Sequence, residues 1–349
     1  MKKNEFIISM ADFHLLITDW FRLNCRDLPW RKKKLPYHIW LSEIILQQTR
    51  VDQGLSYFNK FIENYPDIQA LAKASEQSVL RDWQGLGYYS RARNLHATAK
   101  IIVEKHNASF PNSFSAILAL KGIGDYTASA IASISFDLPH AVVDGNVYRV
   151  LSRYFDIDLP IDTNEGIKHF KSLAQSLLGN KNHGEHNQAL MEIGALVCKP
   201  QNPDCNNCPL KDSCAVVGSD KISLRPVKSK KLKVRNRYFH YLIYCQDEKI
   251  LLQQRTEKDI WQQLYQFPLI EVIPELNSEL SAYTAKARVV SKEIIHVLSH
   301  QKIITTFYHF SEFPEKIDDS WVAVSLEKLD DYPIPRLIEL YLENNKLIH

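Results

Sequence analysis

The spacing of apolar residues changes once along this chain of 349 residues, and the change separates two kinds of fold. Up to about residue 215, apolar side chains recur at helical spacing in successive segments divided by Pro, Gly and Asn. After residue 235, segments such as RYFHYLIYC and KIITTFYHFSEF are β-branched and aromatic with partial alternation, and the final segment returns to helical spacing. The sequence therefore predicts an all-α region followed by an α+β region.

A basic stretch lies between the two regions. Residues 219–237 carry eight Lys or Arg against one acidic residue, a net charge of +7 in a chain whose total is +3, so the remainder is −4. Such a stretch is typical of a solvated connection, with contact to phosphate as a secondary role. We predict one domain over residues 1–218, a linker over 219–235 and a second domain over 236–349.

The composition excludes several classes of protein. Apolar residues make up 45% of the chain and charged residues 24%, the balance of a soluble globular protein. Glu5, Asp12, His14 and Asp19 interrupt any apolar core of a signal peptide near the start. We therefore expect a cytoplasmic protein without a membrane segment, in which the six cysteines are ligands or free thiols and not disulfides.

Four of these cysteines form the pattern C-x6-C-x2-C-x5-C, at Cys198, Cys205, Cys208 and Cys214. Prolines between them suppress regular structure, so the loop can wrap four thiolates around one centre. Structural zinc is an alternative, although its four-cysteine sites usually contain two close C-x2-C pairs and only one is present here. The spacing predicts a shared metal or iron–sulfur centre and leaves these two open.

Two glycines, Gly122 and Gly124, flank one apolar residue in the segment LKGIGD, between two helical segments. They allow a tight turn that exposes amide N–H groups at the start of a helix, where phosphate binds well. A G-x-G pattern alone is usually only a turn, but the flanking helices favour a hairpin that holds the DNA backbone without reading its sequence.

Two acidic residues are candidates for catalysis. Glu43 lies among apolar residues in IWLSEIILQQT, where desolvation raises the pKa of a carboxyl group enough to keep a proton near neutral pH. Asp144 follows an apolar run and precedes GNVYRVL. Local sequence alone favours simpler roles for both, an exposed helix residue for Glu43 and a helix N-cap for Asp144.

Taken together, these features resemble the helix-hairpin-helix DNA glycosylase superfamily and, within it, the adenine glycosylase (MutY) family. The matching stretches are LPWR (28–31), SEIILQQT (42–49), GLGYYSRARNL (85–95), LKGIGDYTA (120–128), VVDGNVYRVL (142–151) and the cysteine loop. The resemblance implies a six-helix barrel at about 29–137, and a lobe at about 1–28 and 138–218 that holds one 4Fe–4S cluster on the four cysteines. It also implies that residues 236–349 form a MutT/Nudix-like domain, here without the glutamates of a Nudix hydrolase.

The resemblance further implies a reaction. Lyases of the superfamily carry a nucleophilic lysine two residues after the second hairpin glycine, where this chain has Tyr126. A phenol cannot form a Schiff base, so we expect a monofunctional glycosylase that leaves an abasic site. Adenine must be protonated before it departs, which makes Glu43 the general acid. Asp144 stabilises the cationic sugar or bonds to it, and Tyr126 and Asn146 position the two carboxyl groups.

By the same resemblance, the partner is double-stranded DNA with A·8-oxoguanine or A·G mispairs, and the adenine pocket contains Arg31 and Trp30. The residues expected to contact the DNA or the oxidised base are Gln48, Thr49, Leu86, Tyr88, Gly122, Gly124, Ser299 and His300. Leu298 replaces an aromatic residue of the family beside Ser299, a change that we expect to weaken packing against DNA.

Two alternatives remain at this point. One is a glycosylase of the same superfamily that acts on mismatched thymine or oxidised pyrimidines. The other is a non-catalytic iron–sulfur protein that binds DNA. In each case we expect a monomer that associates with the nucleoid through DNA.

Overall fold

The computed structural model describes residues 10–229, 234–272 and 286–345. The chain divides into two compact units, one formed by Met1–Gln69 with Ala97–Lys230 and the other by Ala70–His96 with Lys231–His349. The second unit therefore includes a segment from early in the sequence. The limits given above for the barrel, the cluster lobe, the linker and the MutT-like domain stay a prediction.

Helices form the described chain up to residue 224, which confirms the predicted all-α region. They are Met10–Asn24 (α1), Pro29–Lys32 (α2), Pro36–Leu46 (α3), Val51–Asn64 (α4), Ile68–Lys73 (α5), Glu76–Asp82 (α6), Ser90–Lys105 (α7), Phe114–Leu118 (α8), Asp125–Phe136 (α9), Gly145–Tyr154 (α10), Asn164–Leu177 (α11), His183–Leu196 (α12) and Lys221–Leu224 (α13). Several begin at a side chain that accepts an N–H of the first turn, as Ser75, Ser113 and Thr163 do.

The first unit is built around α9 and α12, which are buried along most of their length. Their sequences are rich in Ala, Ser and Gly, and these small residues let the two backbones approach closely. A Cβ atom on Gly184 of α12 would lie 2.6 Å from the Cα atom of Ile134 on α9. Larger apolar residues close the core around them, among them Phe13, Ile17 and Phe170.

The second unit contains the strands Arg235–Gln246 (β1), Lys249–Gln254 (β2), Tyr265–Gln266 (β3), Leu269–Val272 (β4), Val289–Val290 (β5), Ile294–Val297 (β6), Gln301–Phe310 (β7) and Trp321–Ser325 (β8), and the helix Arg336–Asn344 (α14). They form a mixed sheet in which β1 and β7 run parallel, with Arg235 opposite Gln301, and β2 and β4 pair antiparallel with β1. Aromatic residues of the sheet pack on α14, which confirms the predicted α+β region.

The basic stretch is less of a free linker than its sequence suggests. Lys221 and Arg225 both pair with Asp156, which lowers the pKa of that carboxyl group, and Lys221 begins a short helix. Arg237 lies buried on β1 and pairs with two carboxylates of its own unit. Residues 230–233 lie outside the described residues, so contact between this stretch and phosphate stays a prediction.

A membrane-spanning segment would need a long and uniformly apolar helix. None of the helices in the described part of the chain meets that requirement.

Candidate active site

Glu43 lies on α3, a helix that begins at Pro36 and buries most of its side chains. The hydroxyl of Tyr126, on α9, donates a hydrogen bond of 2.6 Å to Glu43 Oε2. The pKa of Glu43 is raised to about 7, chiefly by burial. The hydrogen bond from Tyr126 and the charge of Arg31 lower this pKa, and the nearby charge of Asp144 raises it. Glu43 can therefore carry a proton at neutral pH, as the apolar sequence around it predicts.

Asp144 has the simpler of its two expected roles, and its catalytic role stays a prediction. It is the N-cap of α10, since its Oδ1 accepts the backbone N–H of Val147 at 2.8 Å. Its Oδ2 accepts a 2.7 Å hydrogen bond from the Asn146 side chain. Burial raises the pKa of Asp144, and these hydrogen bonds act in the opposite direction by favouring the carboxylate. The cap thus fixes a half-buried carboxylate close enough to Glu43 to influence the pKa of Glu43.

Trp30 and Arg31, the residues predicted for the adenine pocket, lie on the short helix α2. Trp30 is buried, and its ring meets Phe58 edge-on with centroids 4.9 Å apart. Arg31 lies over the ring of Phe21, and its two Nη atoms donate to Glu192 of α12 at 3.0 and 2.7 Å. Their contact with adenine stays a prediction.

A single guanidinium group connects Asn146, which is predicted to position a catalytic carboxyl group, with the cysteine loop. Arg149, on α10, donates from Nε to the carbonyl oxygen of Cys198 at 2.6 Å. Its Nη2 donates to Asn146 Oδ1 at 2.8 Å and to the carbonyl oxygen of Gly194 at 2.7 Å. Because Asn146 in turn donates a hydrogen bond to Asp144, a displacement of the cysteine loop would shift the Asp144 carboxylate through Arg149 and Asn146.

The thiols of Cys198, Cys205, Cys208 and Cys214 line one cavity, together with Arg153. Arg153 directs Nη1 to Cys198 Sγ at 3.4 Å and donates to the carbonyl oxygens that follow, so a positive charge and a fixed backbone lie beside the thiols. Across the described residues, no group of three or more His, Cys, Asp or Glu side chains is placed to hold a single metal ion. The four cysteines line one cavity, and thiolates are ligands both of iron–sulfur clusters and of structural zinc.

The predicted hairpin lies between α8 and α9. Gly122 adopts a left-handed backbone with φ of +75°, which favours glycine. Gly124, in contrast, is the extended N-cap of α9 at φ −93°, and a Cβ atom there would meet nothing within 4 Å. Only the first glycine is required by the turn itself, and contact of either with DNA stays a prediction.

The residues expected around the oxidised base fall in both units. Gln48 is exposed in the first unit, with a left-handed backbone at φ +59°, and Thr49 follows it. In the second unit, Leu86 is buried, and Tyr88 is 41% exposed with φ of +47°. Their contact with DNA stays a prediction, and the buried Leu86 needs to become accessible if it is to make that contact.

Ser299 and His300 lie in the turn between β6 and β7, where Leu298 N–H donates to Gln301 O at 2.8 Å. The Ser299 hydroxyl forms a hydrogen bond with the hydroxyl of Tyr88. Leu298 is partly buried against the core of the sheet, whereas His300 is exposed. The structure therefore joins two of the predicted lesion-contacting residues, Tyr88 and Ser299, which lie 211 positions apart.

Three residues that form hydrogen bonds in the candidate site were not predicted from the sequence: Glu192, Arg26 and Arg149. Glu192 is a single acid in the apolar segment ALMEIGALVC, and that isolation is a signal, because an acid is rarely buried without a cation. Arg26 and Arg149 gave no comparable local signal.

Family models match both parts of the chain. Residues 41–175 match the HhH-GPD superfamily of base excision DNA repair proteins, and residues 240–344 match the NUDIX domain. The adenine DNA glycosylase of Buchnera aphidicola subsp. Schizaphis graminum is 37% identical over 318 residues, which cover 90% of this chain and 89% of that protein. The adenine DNA glycosylase of Buchnera aphidicola subsp. Acyrthosiphon pisum is 34% identical over 96% of this chain and 91% of its own length.

Among solved structures, a thermostable thymine-DNA glycosylase is 28% identical, with a TM-score of 0.54 over 59% of this chain and 95% of that chain. The fold, the carboxyl groups of Glu43 and Asp144 and these relatives all indicate the same family. This chain belongs to the adenine DNA glycosylase family, within the helix-hairpin-helix superfamily of base excision repair proteins.

Proposed function

We propose that this protein is a monofunctional adenine DNA glycosylase, which hydrolyses the N-glycosidic bond of adenine paired with 8-oxoguanine or guanine. The observation that carries the proposal is Glu43, a carboxyl group with a pKa of about 7 that is hydrogen-bonded by Tyr126 and lies within the field of Asp144. Membership of a family whose relatives are adenine DNA glycosylases supports it.

The reaction follows from the two carboxyl groups. Adenine inside a duplex is out of reach, so it first leaves the stack, at a cost of a few kcal/mol. Glu43 then gives its proton to N7 of adenine, and the bond to the sugar breaks with the electron pair moving to the base. The Asp144 carboxylate stabilises the cationic sugar. Glu43, now ionised, takes a proton from water as the water oxygen bonds to C1′.

Tyr126 supports a product without strand cleavage. A lyase needs an amine that forms a Schiff base with the sugar, and burial raises the pKa of Tyr126 well above its usual range. The phenol therefore stays protonated and donates to Glu43. The expected product is an intact strand with an abasic site.

Recognition of the opposite base is assigned to the exposed residues of the two units. In the second unit, Ser299 and Tyr88 present two hydroxyl groups that already form a hydrogen bond with each other, next to the exposed His300. In the first unit, Gln48 and Thr49 offer polar groups to the partner strand. We assign 8-oxoguanine as the preferred partner base, and duplex DNA as a partner would associate the protein with the nucleoid.

We assign one 4Fe–4S cluster to Cys198, Cys205, Cys208 and Cys214, whose thiols surround a single cavity. When bound, such a cluster would cross-link the loop through four Fe–S bonds. Arg149 and Arg153 donate to the carbonyl oxygens of Cys198 and Lys199, so the loop is anchored to α10 by the protein itself.

The test compares the protein with Glu43→Gln on four duplexes, containing A·8-oxoguanine, A·G, T·G and thymine glycol, under single-turnover conditions. We expect adenine release from the first two, a loss of about 10²–10⁴-fold in Glu43→Gln, and retained DNA binding. Strands should break only after alkali or heat.

Release of thymine without adenine would instead favour the second candidate, which the similarity to a thymine-DNA glycosylase supports. DNA binding without release of any base would favour a non-catalytic role.

A further inference from the structure

A buried ion cluster contains Arg31, whose charge acts on Glu43. Glu192 is only 1% exposed, and its two oxygens accept five hydrogen bonds from two arginines. Arg26 donates from its backbone N–H, Nε and Nη2 at 3.0, 2.9 and 2.7 Å, and Arg31 donates from Nη1 and Nη2 at 3.0 and 2.7 Å. Both guanidinium groups are therefore held by one carboxylate, from positions more than 160 residues away.

This carboxylate is charged over the whole working range of pH. Burial alone would raise the pKa of Glu192, but the hydrogen bonds from Arg26 and Arg31 lower it to about 2. One negative charge thus offsets part of two positive charges, and the cluster keeps a net charge of +1. Breaking such a cluster by removing one partner leaves uncompensated charge in a buried place.

The cluster acts on Glu43 through Arg31. The charged or titratable groups that face Glu43 are Tyr126 from α9, Asp144 from the start of α10 and Arg31 from α2. Arg31 favours the ionised form of Glu43, which is the form that cannot donate a proton. Any group that weakens the field of Arg31 at Glu43 therefore preserves the general acid.

The geometry also bears on the substrate. Glu192 occupies both Nη atoms of Arg31, and Arg31 Nε is left as a buried N–H without a hydrogen-bond partner among the residues that the structure describes. A buried donor without a partner costs free energy until an acceptor arrives. The ring nitrogens of a purine are acceptors of this kind.

We propose that Glu192 is a positioning residue for base excision, which fixes Arg31 and Arg26 and shields Glu43 from the positive charge of Arg31. The proposal rests on the proposed function, because it concerns the same proton transfer. It adds a residue that does not touch the reacting atoms and acts through Arg31.

The test is the pH profile of single-turnover adenine excision for Glu192→Gln. Loss of the negative charge should lower the pKa of Glu43, so the midpoint of the alkaline limb should move to lower pH by about one unit. The excision rate should then fall most above neutral pH and recover in acid. A purely structural defect would lower the rate equally at every pH and leave the midpoint in place.

Glu185→Gln is the matched control, since Glu185 lies on the same helix and holds Arg22 through two hydrogen bonds of 2.9 and 2.7 Å. It removes the same charge from a paired glutamate, and its midpoint should equal that of the parent protein. In a Glu192→Gln background, Arg31→Gln should move the midpoint back, because it removes the charge that Glu192 offsets.

Glu192→Asp keeps the charge but is shorter, so it should keep the midpoint and lose several-fold in rate. If Glu192→Gln does not fold, Glu192→Asp still tests the positioning role. An unchanged excision rate in Glu192→Asp would overturn that role. An unchanged midpoint in folded Glu192→Gln would overturn the shielding role. Failure of the parent protein to release adenine would instead reject the proposed function, before any variant is compared.

Discussion

Two carboxyl groups in one site receive different properties from their surroundings. Glu43 lies in an apolar environment that raises its pKa to about 7, whereas Asp144 is held by the first turn of α10 and by Asn146. A proton donor and an anion can therefore coexist at neutral pH. Tyr126 influences this balance, because the hydrogen bond from its phenol lowers the pKa of Glu43.

Replacement of Tyr126 by Phe should separate two effects of this residue on Glu43, one on its orientation and one on its pKa. The hydrogen bond from Tyr126 favours ionised Glu43, so its loss should raise the pKa of Glu43 above about 7. The alkaline limb of single-turnover excision should move to higher pH, while the maximal rate falls about tenfold because Glu43 is less well oriented.

Tyr148→Phe serves as the control, because Tyr148 lies on α10 and its ring packs on Phe170. A Tyr126→Phe profile with an unchanged or lowered midpoint would show that the hydrogen bond does not set the acidity of Glu43.

The role of a residue can be predicted from the sequence when a local sequence pattern indicates it. The apolar run around Glu43, the missing lysine at Tyr126 and the spacing of the cysteines are patterns of this kind. Glu192 is different, because its role depends on two arginines that precede it by 161 and 166 positions. No local pattern encodes such a pairing, and only the packing of α12 against the start of the chain reveals it.

At the scale of elements, α12 supports the site through a glycine. A Cβ atom on Gly194 would lie 2.5 Å from the Cβ atom of Asn146 on α10. Gly194→Ala should therefore push α10 away, lower the stability by about 1–3 kcal/mol and reduce excision through Asn146 and Asp144.

Thermal unfolding and single-turnover excision measure the two effects. Gly124→Ala is the control for stability, because its Cβ atom would meet nothing within 4 Å and its φ is −93°. If Gly194→Ala is as stable and as active as the parent protein, the close approach of the two helices is not essential.

A histidine pair makes the packing of α1 on α12 sensitive to acid. His14 and His186 stack with ring centroids 5.1 Å apart, and their Nδ1 atoms share a hydrogen bond of 2.9 Å. Burial lowers the pKa of His186 to about 3, and the neighbouring His14 and His183 act in the same direction. In the unfolded chain the pKa is near 6.5, so the folded state prefers the neutral ring.

Its contribution to stability is complete above about pH 6.5 and is lost as the pH falls towards 3. His186→Gln should therefore flatten the dependence of the unfolding free energy on pH in this range, measured by urea unfolding at several pH values. The exposed His169, replaced by Gln, provides the control and should leave the slope unchanged. An unaltered slope in His186→Gln would exclude this residue as the acid-sensitive group.

For the whole molecule, the segment Ala70–His96 belongs to the same compact unit as the sheet, although it precedes the sheet by well over 100 residues. Helical periodicity reveals that this segment is helical, but it carries no information about the partner on which the helices pack. The fold class of each half was therefore predictable, and the grouping of segments was not. The bond between Tyr88 and Ser299 exists because of that grouping.

Ser299→Ala should lower the preference for A·8-oxoguanine over A·G and leave excision from A·G almost unchanged. It removes one hydroxyl in the second unit, far along the chain from Glu43, and leaves the Tyr88 hydroxyl without that partner. The ratio of the two single-turnover rates measures the effect, for which we expect several-fold. Ser320→Ala, in another exposed turn of this unit, is the control.

In the loop before α7, the backbone of Gly85, Gly87 and Tyr88 has positive φ angles. Arg91 donates to the carbonyl oxygens of Leu86 and Gly87 and stacks on Tyr88. On the proposed function, the contacts of Arg91 with this loop have a consequence for how the enzyme searches a genome. An enzyme that passes a vast excess of intact base pairs for each lesion gains speed if its reading loop keeps one shape, because no refolding step delays the rejection of a normal pair.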